Sequence, residues 1–232
     1  RQSPRSYVDM YSRKDIPLPA NFLSEHPFDQ GDSRIRDEKL APFPRTGEVV
    51  KLHRQEYYAM ITHVDNEIGR ILEKLEQADL NKNTYVIFTS DHGLAVGMHG
   101  LMGKQNQYDH STRMPLIFKG PDIKKGAIAT GQVYMQSLYA TTCELAGISI
   151  PETVDFKSIV PLLKKTDIEG ENFIYGSYRH LQRMIRTTRY KLIVYPEANR
   201  IQLFDLLEDP YETDDLSVCS NHQEIKRTLF YE

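Results

Sequence analysis

Residues 84–104 read TYVIFTSDHGLAVGMHGLMGK, and the fold is decided near Ser90, where an apolar run stops and a turn begins. Thr84-Tyr85-Val86-Ile87-Phe88-Thr89 is continuously β-branched and aromatic, the composition of a strand buried on both faces in a parallel sheet. Upstream, Tyr57, Ile61, Val64, Ile68, Ile71 and Leu75 recur at steps of four and three, the stripe by which a helix over 51–77 faces a core. Asn81-Lys82-Asn83 supplies the turn between them. Helix, turn and buried strand in that order predict an α/β fold.

Downstream, Met114-Pro115-Leu116-Ile117-Phe118 forms a second short strand, and a helix over 136–145 stops at Gly147, a C-cap residue. A further short helix covers 158–163. The character then changes to four short apolar runs, 172–178, 183–186, 191–195 and 202–206, separated by turns, which predict a small antiparallel sheet. The tail 223–231 is read as a helix covering one face. A boundary is placed near residue 166. At the other end, residues 1–50 hold six prolines (Pro4, Pro17, Pro19, Pro27, Pro42, Pro44) and the charged cluster Arg34-Ile35-Arg36-Asp37-Glu38, a surface excursion with little regular structure. A loop of that length wraps over a larger body.

The chain has 232 residues with 29 basic and 32 acidic side chains, a net charge of -3 that provides no concentrated positive field for nucleic acid or anionic lipid. Its apolar runs fall far short of the ~20 residues that span a bilayer, so neither nucleic acid nor membrane is an expected partner. The cysteines, Cys143 and Cys219, lie in unrelated contexts, which indicates neither a disulfide framework nor a zinc knuckle and leaves the redox compartment open. The first residue is Arg1 rather than Met, an expected sign of processing or truncation.

Chemistry concentrates in Ser90 to Lys104, because ligands of open α/β sheets bind beyond the carboxyl ends of strands. Asp91 offers a hard anionic oxygen and His92 an imidazole nitrogen, which reach one cation if the backbone turns sharply at Gly93. Lys104 provides a compact point charge suited to a tetrahedral oxyanion. Taken singly, Asp91 reads equally as a turn residue, His92 as a hydrogen-bonded structural histidine and Lys104 as a solvated surface charge.

The longer string SDHGLAVGMHGLMGKQNQYDHSTRMPLIFKGP resembles the calcium- and sulfate-binding segment of the type I sulfatases of the alkaline phosphatase superfamily, particularly the branch similar to iduronate-2-sulfatase and choline sulfatase. Successive blocks along nearly the whole chain support it: RSYVDMY near the start, YYAMITHVDNEIGRIL in the helix, SIVPLL, and YKLIVY with QLFDLLEDPYET at the end. The resemblance implies part of an alkaline-phosphatase-like α/β sandwich, with 51–165 as the second half of its core, followed by a small antiparallel C-terminal sheet with a helix over 166–232. It implies that Asp91 and His92 ligate calcium and that Lys104 binds sulfate and takes part in catalysis. His99 is expected to contact substrate, with simple packing as the alternative. Gln105 and Asn106 either bond a polar substrate or cap a loop, and Arg113 is read as structural.

The family's Cys-x-Pro-x-Arg or Ser-x-Pro-x-Arg signature, source of its formylglycine nucleophile, has no counterpart around Cys143 or Cys219. The chain therefore resembles the C-terminal half of a sulfatase, expected to be inactive alone, with the missing N-terminal half and a sulfated small molecule or glycan as partners. A phosphodiesterase or phosphomonoesterase of the same superfamily, with His110 and His180 as further metal-ligand candidates, is one alternative; a noncatalytic sulfate-ester-binding module is another. By resemblance the compartment is periplasmic, secreted or lysosomal.

Overall fold

The structure, a computed structural model, describes residues 3–165 and 170–232, so the boundary expected near residue 166 lies outside the described residues. The elements run α1 (Arg5–Val8), α2 (Gly47–Gln77), β1 (Val86–Thr89), α3 (Asp109–Thr112), β2 (Leu116–Lys119), α4 (Ser137–Leu145), α5 (Val160–Lys164), β3 (Ile174–Tyr178), β4 (Gln182–Arg186), β5 (Tyr190–Tyr195), β6 (Arg200–Asp205) and α6 (Gln223–Tyr231). Thr46 caps α2 by accepting from Val49 N–H, satisfying one of the first-turn donors. Gly147 follows the end of α4 with a φ of 68°, the left-handed position that glycine fills without strain.

Among the described residues β1 has no parallel neighbour. It pairs antiparallel with β2, Phe88 opposite Ile117 and Thr89 opposite Leu116, and no residue of either strand is buried. Phe88 and Ile117 are 42% and 59% exposed. An apolar run reports that a strand needs cover, but strand direction is set by whichever segment supplies the neighbouring backbone. The same holds for α2: its expected core-facing stripe is largely open, with Ile61, Val64 and Ile71 at least half exposed, while only Val50 and Ala59 are buried. Another part of α2 meets the N-terminal segment, where Tyr7 stacks on His63 and Tyr11 Oη bonds Thr62 Oγ1 at 2.5 Å.

The strands buried on both faces are instead in the C-terminal sheet, an antiparallel meander in the order β3-β4-β5-β6. Side chains alternate across it. Met184, Ile193, Tyr195 and Phe204 pack with Ala95, Leu101 and Tyr108 of the preceding segment, whereas Ile185, Leu192 and Leu203 pack with Leu229 of α6. Each large apolar side chain fully removed from water contributes roughly 1.5–3 kcal/mol, so this sheet anchors the 95–108 segment.

The N-terminal segment is also not a purely superficial excursion. Glu38 and Arg45 are 3% and 1% exposed, because each finds its partners in residues far along the chain. No helix among the described residues is long and apolar enough to cross a membrane.

Candidate active site

The segment after β1 turns at once. Asp91 Oδ1 accepts from His92 N–H at 2.9 Å, and the His92 ring swings back so that Nε2 lies 3.2 Å from Asp91 Oδ2. The two side chains therefore converge. The Asp91 side chain is 81% exposed and that of His92 34%, which leaves the pair accessible from solvent. Slight desolvation opposes ionisation of Asp91, but the His92 N–H bond and the adjacent imidazole together hold its carboxyl below the usual range.

Gly93 is required by what lies behind it. Its N–H donates to Ser111 O at 3.0 Å, and a Cβ there would stand 1.9 Å from His110 O. The metal-candidate turn is thus pressed against α3, whose own start is held by Glu212 Oε2 accepting from Asp109 N–H at 2.8 Å.

From Leu94 the chain makes a tight excursion and returns. Ala95 N–H donates to Gly103 O at 2.9 Å and Gly97 N–H to Leu101 O at 2.8 Å. Val96 and His99 adopt positive φ of 43° and 52°, strained for any side chain and most for a β-branched one. This closure brings the chain back level with Ala95 at Gly103, immediately before the partly buried Lys104.

His99 is 6% exposed. Its ring stacks on Tyr108 at 3.9 Å between centroids, and Nε2 sits 3.0 Å from Asn21 Nδ2. Burial lowers its pKa to about 4, with the nearby His26 adding to the effect, so the ring is neutral at pH 7. It lines a cleft of about 690 Å³ together with Asn21, Phe22, Tyr108, Gln202 and Lys226. Gln105 and Asn106 serve the loop itself: Gln105 Oε1 accepts from Lys104 N–H, and Asn106 Oδ1 from Tyr108 N–H. Arg113 is exposed and 3.8 Å from Asp109.

Neither alternative histidine joins Asp91 and His92 as a ligand set. His110 has both ring nitrogens buried without a hydrogen-bond partner, and His180 faces Glu197 at 3.6 Å in the turn between β3 and β4. Among the described residues no group of three or more His, Cys, Asp or Glu is placed to hold a metal ion. Asp91 and His92 fit a cation as two contributors to a sphere completed by other groups, since calcium takes six to eight ligands.

Residues that pattern reading passed over hold this region in place. Lys191, with no exposed side-chain surface, bonds Asp109, Gln107 O and Glu212, and Arg186 Nε approaches Asp109 at 3.3 Å. A lone lysine within the apolar strand YKLIVY was the available signal, because a lysine is fully buried only when paired. Asp37, Glu38 and Arg45 carried no such signal, lying in a charged, proline-flanked stretch.

The sulfatase family profile matches residues 3–148, and the profile described as N-sulphoglucosamine sulphohydrolase, C-terminal, matches residues 97–232. The chain is 28% identical to an arylsulfatase of Clostridium perfringens over 98% of its own length and 48% of the relative's. It is 32% identical to human arylsulfatase K over 75% of the chain and 35% of that protein. Among solved structures, BT4656 in complex with its substrate D-glucosamine-2-N,6-O-disulfate superposes with a TM-score of 0.73 at 26% identity, covering 79% of this chain and 40% of that one. The phosphonate monoester hydrolase of Agrobacterium radiobacter shares the fold at a TM-score of 0.82 and 22% identity, over 98% of this chain and 52% of its own. The chain thus spans about half or less of the length of these relatives.

Proposed function

The chain belongs to the sulfatase family, and from that premise we propose that it is the C-terminal portion of a calcium-dependent sulfatase that hydrolyses sulfate esters of a carbohydrate. The observation that carries the proposal is the convergence of Asp91 and His92, 3.2 Å apart at the tip of β1, on a segment that loops back to Lys104. The choice of a carbohydrate is supported by the sulfated glucosamine that BT4656 binds.

In this mechanism Asp91 and His92 would hold the cation as two of its ligands. The bound cation supplies positive charge next to the sulfate group. Lys104 aims its ammonium at the same anion and offsets charge that grows on it during S–O cleavage, where preorganised electrostatics is usually the largest catalytic contribution. His99 presents a neutral ring to a cleft whose lining includes none of Asp91, His92 and Lys104. The nucleophile is provided elsewhere, as neither Cys143 nor Cys219 lies in a Cys-x-Pro-x-Arg setting.

The open faces of β1, β2 and α2 support the partial-chain reading. Phe88, Ile117, Ile61, Val64 and Ile71 are apolar surface that a further layer would cover, and the missing N-terminal half is the proposed occupant.

The test is to assay a longer protein that joins this chain to a segment containing Cys-x-Pro-x-Arg or Ser-x-Pro-x-Arg, using a sulfated glucosamine. Activity that falls at least a hundredfold in Lys104→Ala, and is lost with a calcium chelator or in Asp91→Asn, is expected. Turnover indifferent to all three changes, or substantial turnover by the 232-residue chain alone, overturns the proposal.

A further inference from the structure

The backbone that leads into Lys104 is stitched, one N–H after another, to two adjacent acidic residues of the N-terminal segment. Glu38 Oε2 accepts from Met102 N–H at 2.9 Å and Glu38 Oε1 from Gly103 N–H at 2.8 Å. The next donor, Lys104 N–H, bonds Gln105 Oε1 at 3.1 Å, and Gln105 Nε2 donates to Asp37 Oδ2 at 3.0 Å. One carboxylate thus spans two consecutive amides, and its neighbour fixes the third through an amide side chain.

Glu38 is itself fixed. Arg45 Nη2 donates to its Oε2 at 2.5 Å and to its backbone oxygen at 3.1 Å, while Arg45 Nη1 donates to Gly100 O at 2.5 Å. The guanidinium also lies 4.0 Å from the Phe43 ring centroid, a cation–π placement. Both side chains are almost fully buried, 0% and 4% exposed for Arg45 and Glu38. Gly103 is part of the fit, since a Cβ there would stand 2.9 Å from Glu38 Oε1 and 2.7 Å from Gln105 Oε1.

A buried ion pair is a weak source of net stability, because desolvation offsets most of its Coulombic gain. This one also spends both carboxylate oxygens on backbone donors of a single loop. What it does supply is geometry: the loop's peptide planes are fixed from Gly100 to Lys104, and with them the direction in which the Lys104 side chain leaves the backbone.

We propose that Glu38, held by Arg45, is a positioning residue that sets the Lys104 ammonium for a tetrahedral oxyanion. The proposal rests on the reading of Lys104 as an anion-binding group. Glu38 touches no substrate and acts through the Met102–Gly103 backbone, with Asp37 and Gln105 extending the same clamp by one residue.

The test uses the 232-residue chain with two readouts, residue-resolved amide hydrogen exchange and protection of the Lys104 amine from chemical acylation by inorganic sulfate. In Glu38→Gln one oxygen is replaced by a donor that faces an N–H. Exchange at Met102, Gly103 and Lys104 is expected to accelerate roughly tenfold or more, the loss of about one charge-assisted hydrogen bond. Leu192 and Leu203 amides keep their rates. The sulfate concentration that half-protects Lys104 rises roughly tenfold when read at a temperature where parent and variant are both folded, while the melting temperature falls because Arg45 stays buried without its carboxylate.

A folded Glu38→Gln whose three amides and sulfate midpoint match the parent overturns the proposal, as does acceleration spread evenly over the whole chain. If Glu38→Gln does not fold, Asp37→Asn carries the test. It removes only the outer part of the clamp and is expected to accelerate Lys104 N–H selectively and raise the sulfate midpoint; unchanged values there overturn the proposal. Should sulfate fail to protect Lys104 in the parent while Glu38→Gln still shows the three-amide signature, the anion-binding role of Lys104 falls and the clamp stands.

Discussion

Lys191 Nζ donates to Glu212 Oε1 at 2.6 Å with neither side chain appreciably exposed, 0% and 3%. The same ammonium bonds Asp109, so a strand of the C-terminal sheet, the segment after β6 and the start of α3 meet at one charge. Burial raises the Glu212 pKa against the pull of Lys191. At Asp109 burial acts in the same direction, but Lys191 and Arg186 outweigh it and leave the carboxyl below its ordinary value.

Removing that charge leaves the buried Glu212 carboxylate without a cationic partner and Asp109 dependent on Arg186. Lys191→Met is expected to lower unfolding free energy by about 3–5 kcal/mol. Adding Glu212→Gln should return part of the loss, since the stranded charge is then gone. Urea unfolding of the single and double variants checks this, and a single-variant loss below about 1 kcal/mol would contradict it.

Stability should fall as pH drops from about 6.5 towards 4. Burial lowers the pKa values of His26, His99 and His110, that of His99 to about 4, so between these limits the unfolded chain binds protons that the folded chain refuses. Stability from these groups is complete above the unfolded value near 6.5 and is lost on acidification through that window. Glu212 acts in the opposite sense, one group against three. Denaturant midpoints measured at pH 7, 5.5 and 4.5 should decline in that order; a flat series rejects the neutral buried imidazoles.

His110 sharpens the point. Both its ring nitrogens are buried and unpartnered, so an apolar side chain of similar size avoids their desolvation. His110→Leu is expected to stabilise the chain at pH 7 by about 1 kcal/mol and to make the acid decline shallower. Calorimetric melting at pH 7 and 5 decides between this and a functional partner, which a clear destabilisation at both pH values would reveal.

Gly93→Ala places a methyl carbon 1.9 Å from His110 O, a backbone atom that cannot rotate aside. The turn and α3 must separate, at about 3 kcal/mol. Equal melting temperatures for variant and parent would mean that the Asp91-His92 turn is not braced by α3.

Local patterns carried the element list a long way. The stripe read over 51–77 is α2 at Gly47–Gln77, and the four runs assigned to an antiparallel sheet are β3 to β6. The tail is α6. That a turn follows β1 at once, with Asp91 beside His92, was equally visible, because a turn after a strand is written in adjacent residues. The parallel pairing assumed for β1 is not found among the described residues for the opposite reason: its partner β2 lies beyond the loop, and nothing in VIFT states the direction of the neighbouring strand.

The amino-acid sequence by itself determined which segments are helical or extended and which loop holds the chemically distinctive side chains, since periodicity and turn chemistry act over a few residues. Only the tertiary structure decided which charges are buried. Glu38 reads as one more acid in a charged stretch until Met102, 64 residues away, donates its N–H to it, and Lys191 as a lysine of unknown partner in an apolar strand until Asp109, 82 residues away, meets it. A buried charge is tolerable only with partners, and those partners come from distant segments that folding alone brings together.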